Sequence, residues 1–113
     1  MIDKYSFGRI NIQGMVYTDD LKIIKGRVVP GWWRKKGHKV LPEDVQDILE
    51  AEPEILVIGK GRPGFLRLDP EVKTRLEQEG IKLMEMSTGK AVQEFNRLTD
   101  EGKDVAAGFH LSC

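Results

Sequence analysis

The sequence predicts a layered α/β domain with a mixed central sheet, in which N-terminal β-hairpins are followed by the order αβαβαβ. Four consecutive apolar residues, Ile55 to Ile58, indicate a strand buried on both faces. Helical spacing recurs between the later strands, and crossovers of that length imply parallel neighbours. Glycine turns near the N-terminus indicate hairpins. The 113 residues are enough for one domain, 1–113, with a core that needs no disulfide.

Two hairpins are expected before Pro30, each with a glycine at its turn. Both are expected to add antiparallel strands to the mixed sheet. The first joins Ser6–Ile12 to Met15–Thr18 across Gln13-Gly14, and the second joins Leu21–Ile24 to Arg27–Val29 across Lys25-Gly26.

The remaining two thirds of the chain alternate between helices and strands. Proline at the first helical position predicts helices over about Pro42–Ala51, where acidic residues follow the proline, and from Asp69 to Gly80, where Asp69 precedes it. A third helix is expected after Ser87 or Thr88, either of which can cap it. The strands that follow the second and third helices are predicted at Ile81–Met86 and Val105–Leu111.

Composition predicts a soluble cytoplasmic protein. Hydrophobic residues make up 40% of the chain and charged residues 32%, which is typical of globular domains. No apolar run approaches the roughly 20 residues of a membrane span, and the first residues have no signal-peptide pattern. The single cysteine, Cys113, excludes an internal disulfide and fits a reducing compartment.

The basic-aromatic segment Trp32–Lys39 is the first candidate site. Eighteen basic and eighteen acidic residues balance overall, yet Leu21 to Pro42 carries seven basic residues and no acidic one. Adjacent tryptophans beside cations suit a protein partner or stacking with nucleic acid, and zero net charge favours the protein. The alternative places one tryptophan in the core. The candidate partner-binding residues are Trp32, Trp33, Arg34, Lys35, Lys36 and His38.

The glycine loop Gly59–Gly64 is the second candidate site. Its Gly-x-Gly-x-x-Gly spacing matches a dinucleotide fingerprint, but Pro63 and residues 65–68 intervene before a helix can start. A structural turn is the stronger interpretation. Lys60 and Arg62 could hold an anion with loop amides, or they are two solvated charges.

His38, His110 and Cys113 raise the question of metal or thiol chemistry. His110 and Cys113 are three apart, so on a regular strand their side chains point to opposite faces. We therefore predict no metal site and no cofactor. Thr88 fits a helix cap better than a substrate contact.

Three segments carry a resemblance to a known family. They are Trp33–His38, Leu56–Gly61, and the run of Thr88-Gly89-Lys90-Ala91, Asn96 and Gly102–Cys113. Together they resemble the Mth-type domain family of largely uncharacterised proteins. Its eukaryotic relatives include an adipogenesis-associated Mth domain-containing protein and a respiratory complex I assembly factor. The resemblance implies a three-layer α/β sandwich and carries no enzymatic activity. Lys60 departs from the pattern, which has a small hydroxyl residue there.

The first functional hypothesis is a non-catalytic protein that binds or assembles a partner through Trp32–Lys39, because no catalytic constellation is visible. The alternative is a small-molecule or anion binder, or an enzyme, at the glycine loop. Its site residues would be Gly59, Lys60, Gly61, Arg62, Thr88 and His110. Nucleic-acid binding is third. The sequence leaves homo-oligomerisation open.

Overall fold

The computed structural model describes all 113 residues. The strands are β1 Ile2–Ser6, β2 Arg9–Ile12, β3 Met15–Tyr17, β4 Leu21–Ile24, β5 Arg27–Pro30, β6 Lys39–Val40, β7 Ile55–Gly59, β8 Arg67–Leu68, β9 Lys82–Met86 and β10 Val105–Phe109. The helices are a 3-10 helix Pro42–Val45, then α1 Gln46–Ala51, α2 Pro70–Gln78 and α3 Thr88–Asp100. No helix is both long and apolar enough to cross a membrane.

The central sheet is mixed and has the order β5-β4-β10-β7-β9. Strand β7 is buried along its whole length and lies parallel to both β9 and β10, as the crossover lengths predict. Strand β4 runs antiparallel to β10, with Leu21 opposite Phe109. The carboxyl ends of the three parallel strands and the start of β4 therefore lie at one edge of the sheet.

Both predicted hairpins are present, but only the second joins the central sheet. At both turns the backbone has positive φ, with Gln13 at 51° and Gly14 at 83° in the first. The expectation that both hairpins extend the mixed sheet is wrong for β2 and β3, which form a separate antiparallel sheet of the order β1-β2-β3. Ile10 and Ile12 are buried on one face of β2, so this sheet packs as a layer over the core.

Two apolar cores, one on each face of the central sheet, give the three layers that the resemblance implies. One core joins β1 and β2 and helix α3 to one face, with Phe95 and Phe109 fully buried. The other joins α1, α2 and the small β6-β8 sheet to the opposite face, around Leu56 and Ile58. Alternate residues of β7 and β10 thus serve opposite cores.

Two predicted boundaries change. The helix expected over Pro42–Ala51 begins as a 3-10 helix because the buried Asp44 carboxylate accepts the Leu41 N–H at 2.7 Å, which tightens the first turn. The last strand ends at Phe109 rather than Leu111. His110 therefore lies beyond the strand, and the argument that it faces away from Cys113 on a regular strand does not apply.

Candidate functional site

The features singled out in the sequence gather at the edge where the parallel strands end. Strand β7 leads into the glycine loop, β9 leads into the start of α3, and β10 leads into His110. Asp20 precedes β4 at the same edge, because Leu21 pairs with Phe109. Loops at the carboxyl ends of parallel strands are where α/β proteins usually bind ligands.

The segment Trp32–Lys39 divides into buried and exposed residues. Trp32 is only 5% exposed, and its indole N–H donates to the Asp44 carbonyl at 3.0 Å. Its ring lies where a Cβ on Gly108 would come within 2.8 Å, so the glycine makes room for it. Trp33 is 79% exposed. Of the two tryptophans, only Trp33 is open to a partner.

Arg34 is buried, although it was a candidate for binding a partner. Its guanidinium lies 4.5 Å from the centre of the Trp32 ring and donates to the Asp20 carboxylate at 2.7 Å. It also donates to the carbonyl oxygens of Gly37 and Trp32, at 2.8 and 3.3 Å. Arg34 therefore holds the segment in place, and its charge is neutralised inside the protein.

Asp20 is the centre of a largely buried polar cluster. One carboxylate oxygen accepts from His110 Nδ1 at 2.7 Å as well as from Arg34, and the other accepts the Leu111 N–H at 2.8 Å. Burial alone would raise the pKa of Asp20, but the hydrogen bonds from His110, Leu111 and Arg34 hold it below its usual value. Asp20 is therefore ionised at neutral pH.

His110 resembles the histidine of an Asp–His dyad but is closed in. Because the Asp20 carboxylate can only accept, Nδ1 carries the shared hydrogen, while Nε2 is buried and has no hydrogen-bond partner. The His38 ring lies edge-on at 5.4 Å between ring centres. The imidazole packs so closely on Gly61 that a Cβ there would lie 2.5 Å from its Cδ2.

The N–H groups of the first part of the glycine loop, from Lys60 to Arg62, are occupied within the protein. Lys60 donates to the Met86 carbonyl at 2.8 Å, Gly61 to Thr88 Oγ1 at 2.8 Å, and Arg62 to the Ser112 carbonyl at 3.0 Å. A phosphate cradle needs such amides to be free. The missing side chains of Gly59 and Gly61 instead allow close contact with Thr88, Phe109 and His110.

Thr88 is fully buried and links the loop to the C-terminal segment. Its hydroxyl accepts from Gly61 and donates to the His110 carbonyl at 2.5 Å. Ser87, not Thr88, occupies the N-cap position of α3. Tyr5 ties β1 to the same segment by donating to the Leu111 carbonyl at 2.8 Å, and burial raises the pKa of its hydroxyl.

A surface of exposed aromatic and basic side chains covers the polar cluster. Phe65 is 53% exposed, and its ring packs edge-on against the His38 ring with 6.4 Å between ring centres. Lys35 and Lys36 are exposed and take part in none of the protein's salt bridges. We call this the aromatic–basic surface, and its residues are Trp33, Lys35, Lys36, His38 and Phe65.

Comparison with known proteins identifies the family. A family model described as a protein of unknown function (DUF498/DUF598) matches residues 2–110. The chain belongs to the DUF498 family. The conserved hypothetical protein PH1505 from Pyrococcus horikoshii OT3 is similar to the DUF498 chain, with 27% identity over 100% of this chain and 99% of the other, and a TM-score of 0.85.

Two further structures extend the comparison. A protein of Bartonella henselae that is called an outer membrane protein is 28% identical over 99% of this chain and 94% of its own, with a TM-score of 0.81. A Bordetella pertussis protein that is called a Mth938-like domain shares the fold at 19% identity, 98% and 85% coverage, and a TM-score of 0.71. The Mth-type resemblance and the α/β fold are confirmed.

Sequence reasoning on this DUF498 chain missed two contributors to the site. Phe65 lies in the loop after the glycines, and a large aromatic next to Pro63-Gly64 is the only local signal for its exposure. Asp20 lies between the two predicted hairpins, and its partners Arg34 and His110 are too distant in sequence for any spacing to reveal them.

Proposed function

We propose that this DUF498 protein has no catalytic role and acts by binding an acidic protein partner on its aromatic–basic surface. The observation that carries the proposal is the 79% exposure of Trp33. Large exposed aromatic side chains mark interaction sites, and tryptophan is the residue most enriched among binding hot spots. Phe65 provides a second apolar contact on the neighbouring loop.

Charge selects the class of partner. The exposed Lys35 and Lys36 make no salt bridge, and the segment from Leu21 to Pro42 has no acidic residue to neutralise them. Unpaired rim cations attract an acidic surface and speed its association. Zero net charge and a small number of free lysines give little of the broad electrostatic footprint that nucleic-acid binding requires.

The interior supports the surface with a rigid base. Arg34 bonds to Asp20, Gly37 and Trp32, so the backbone on both sides of Trp33 is fixed before any partner arrives. A surface that is already ordered loses less conformational entropy on binding. The hydrogen bonds made by Arg34 thus favour a tight contact at Trp33.

Two observations favour binding over chemistry at the strand ends. The amides of Lys60, Gly61 and Arg62 already have partners, and the unpaired His110 Nε2 is enclosed by protein. A general base must reach the proton that it removes. We therefore assign the Asp20–His110 pair a structural role, in which it supports the glycine loop from inside the protein.

Affinity purification of the tagged protein tests the proposal. Wild type is compared with Trp33→Ala, Lys35→Ala/Lys36→Ala and the control Phe7→Ala, which removes an exposed aromatic from the turn between β1 and β2. We expect a partner with an acidic surface that is recovered with wild type and Phe7→Ala and lost with the other two. Equal recovery with Trp33→Ala would refute the proposal. Arg34 is left intact because its loss would disturb the fold.

A further inference from the structure

We propose that a second site, separate from the aromatic–basic surface, binds a small phosphate monoester in a cleft between β1 and the start of α3. The cleft has a volume of about 690 Å³, within the range of small-molecule sites. Its lining comes from β1, the turn after it, the glycine loop and α3, and includes Lys4, Arg62, Ser87, Gly89, Lys90 and Asn96.

Three cations from separate parts of the chain converge on this cleft. Lys4 comes from β1, Arg62 from the glycine loop and Lys90 from α3. None of them takes part in a salt bridge within the protein. The only carboxylate in the lining, Asp3, accepts the Gly14 N–H at 3.1 Å. The lining therefore carries three cations against one carboxylate, which is a net positive charge, and none of the three cations is held in an internal ion pair.

The backbone adds donors to these cations. Ser87 occupies the N-cap position of α3 but makes no capping hydrogen bond, so the first-turn N–H groups of Gly89 and Lys90 receive no side-chain cap. A Cβ on Gly89 would meet nothing within 4 Å, so space lies open beside these amides. These amides add hydrogen-bond donors to the cations, and the cations alone already require a negatively charged ligand.

The cleft has a fixed shape without a ligand. The Asn96 side chain accepts the Ile2 N–H at 3.0 Å and donates to the Ile2 carbonyl at 2.8 Å, which fastens β1 to α3. The Tyr5 hydroxyl fastens the far end of β1 to Leu111. Arg62 is held through its backbone by Ser112. A ligand would therefore meet an ordered backbone, and the entropy lost on binding would be mainly that of the exposed Lys4, Arg62 and Lys90 side chains.

The number of donors selects the ligand class. A phosphate monoester carries close to two negative charges at neutral pH and three terminal oxygens, which can use three cations and two amides together. A single carboxylate has one charge and two oxygens. Phe7 and Val92 border the cleft and can contact a short organic group. A phosphorylated metabolite of modest size fits these features.

NMR titration of the full chain tests the site. The probes are inorganic phosphate, glycerol 3-phosphate, ribose 5-phosphate and a phosphoserine peptide, at constant ionic strength. We expect saturable shifts of the Ser87, Gly89 and Lys90 amides with a sugar or glycerol phosphate. Arg62→Ala/Lys90→Ala should weaken binding by about tenfold or more. The matched control Lys82→Ala/Lys103→Ala, which removes two exposed lysines elsewhere, should not.

A second variant separates binding from folding. Gly89→Asp places an anion in the first turn of α3, where it favours the helix but repels a phosphate. We expect unchanged or higher thermal stability together with loss of the titration shifts. No saturable shift with any probe, shifts that survive Gly89→Asp, or binding of the peptide alone would overturn the proposal. Trp33→Ala should leave the titration unchanged.

Discussion

At the scale of single residues, Asp20 joins three distant parts of the chain. Its carboxylate accepts hydrogen bonds from Arg34 in the basic-aromatic segment and from His110 and Leu111 near the C-terminus. Arg34 is only 8% exposed, so its charge depends on this partner. Removing one member of a buried charged pair leaves the other uncompensated. Asp20 therefore stabilises the base of the aromatic–basic surface.

Asp20→Asn should lower the free energy of unfolding by about 2 kcal/mol at pH 7. Because the native pKa of Asp20 is below its ordinary value, the carboxylate contributes its full stability above that ordinary value. The contribution is lost as the pH falls through the native pKa. Urea unfolding should therefore show that the difference in free energy of unfolding between wild type and variant becomes smaller as the pH is lowered from about 5 towards about 2. A constant difference would contradict this account, and the exposed Asp19→Asn serves as control.

Gly61→Ala should destabilise the protein by about 3 kcal/mol, since it combines backbone strain with overpacking. Gly61 has φ of +88°, and a Cβ would collide with the Ser112 carbonyl oxygen and the His110 ring. Gly64→Ala is the control because its φ is also positive, at +113°, while its surroundings are open. Thermal unfolding of Gly64→Ala should show a stability loss of only about 1 kcal/mol. Equal losses would mean that crowding at Gly61 is unimportant.

Single-residue roles at this site could be predicted only in part. One of two interpretations of the sequence placed Trp32 or Trp33 in the core, but it did not say which one, because an irregular segment has no period that assigns faces. The contact between Trp32 and Gly108 decides it, and that contact spans most of the chain. The Asp20–His110 pair could not be predicted either, because its two residues are also far apart in the sequence.

At the scale of elements, the attachment of β1 to α3 determines the shape of the cleft. Strand β1 pairs only with β2, so one edge lacks a strand partner. Asn96 on α3 replaces that partner with two hydrogen bonds to the backbone of Ile2. The helix therefore positions both the strand and the Lys4 side chain.

Asn96→Ala should lower the free energy of unfolding by about 1–2 kcal/mol, because two backbone groups of Ile2 lose their partners. It should also increase the amide exchange of β1 more than that of β7. Hydrogen exchange followed by NMR measures both effects. Gln93→Ala, on the exposed part of the same helix, is the control. Unchanged exchange in β1 would show that Asn96 does not hold the strand.

Elements with a strong local signal were predicted correctly, and those that depend on distant partners were not. The two hairpin turns and the parallel strands β7, β9 and β10 follow from glycine positions and crossover lengths. Strand β1 has only one buried residue, Ile2, so no alternation reveals it. Strands β6 and β8 contain two residues each and exist because they pair with one another.

At the scale of the whole molecule, charge is distributed unevenly although the net charge is zero. The basic-aromatic segment Trp32–Lys39 lies at the edge of the central sheet where the parallel strands end, since Arg34 contacts Asp20 and the His38 ring contacts the His110 ring there. An acidic partner would be attracted to this edge and away from the remaining, acidic part of the chain. Under the proposed function, this charge pattern would orient the partner before contact.

Lys35→Glu/Lys36→Glu should slow association with the partner by about tenfold at low salt, with a smaller effect at high salt. Stopped-flow or surface-based kinetics at several salt concentrations measure this. Lys82→Glu/Lys103→Glu makes the same change in net charge on other exposed residues. If both pairs slow association equally, net charge rather than the aromatic–basic surface governs the encounter.

The most direct test of the account is site-specific photo-crosslinking in cells. A photoreactive amino acid is placed at position 33, at position 65 or, as a control whose exposure is close to that of Phe65, at position 7. We expect one partner band with the probe at positions 33 and 65, weakened by Lys35→Glu/Lys36→Glu, and no such band from position 7. A partner that crosslinks from position 7 but not from position 33 or 65 would contradict the assignment of the aromatic–basic surface as the binding site.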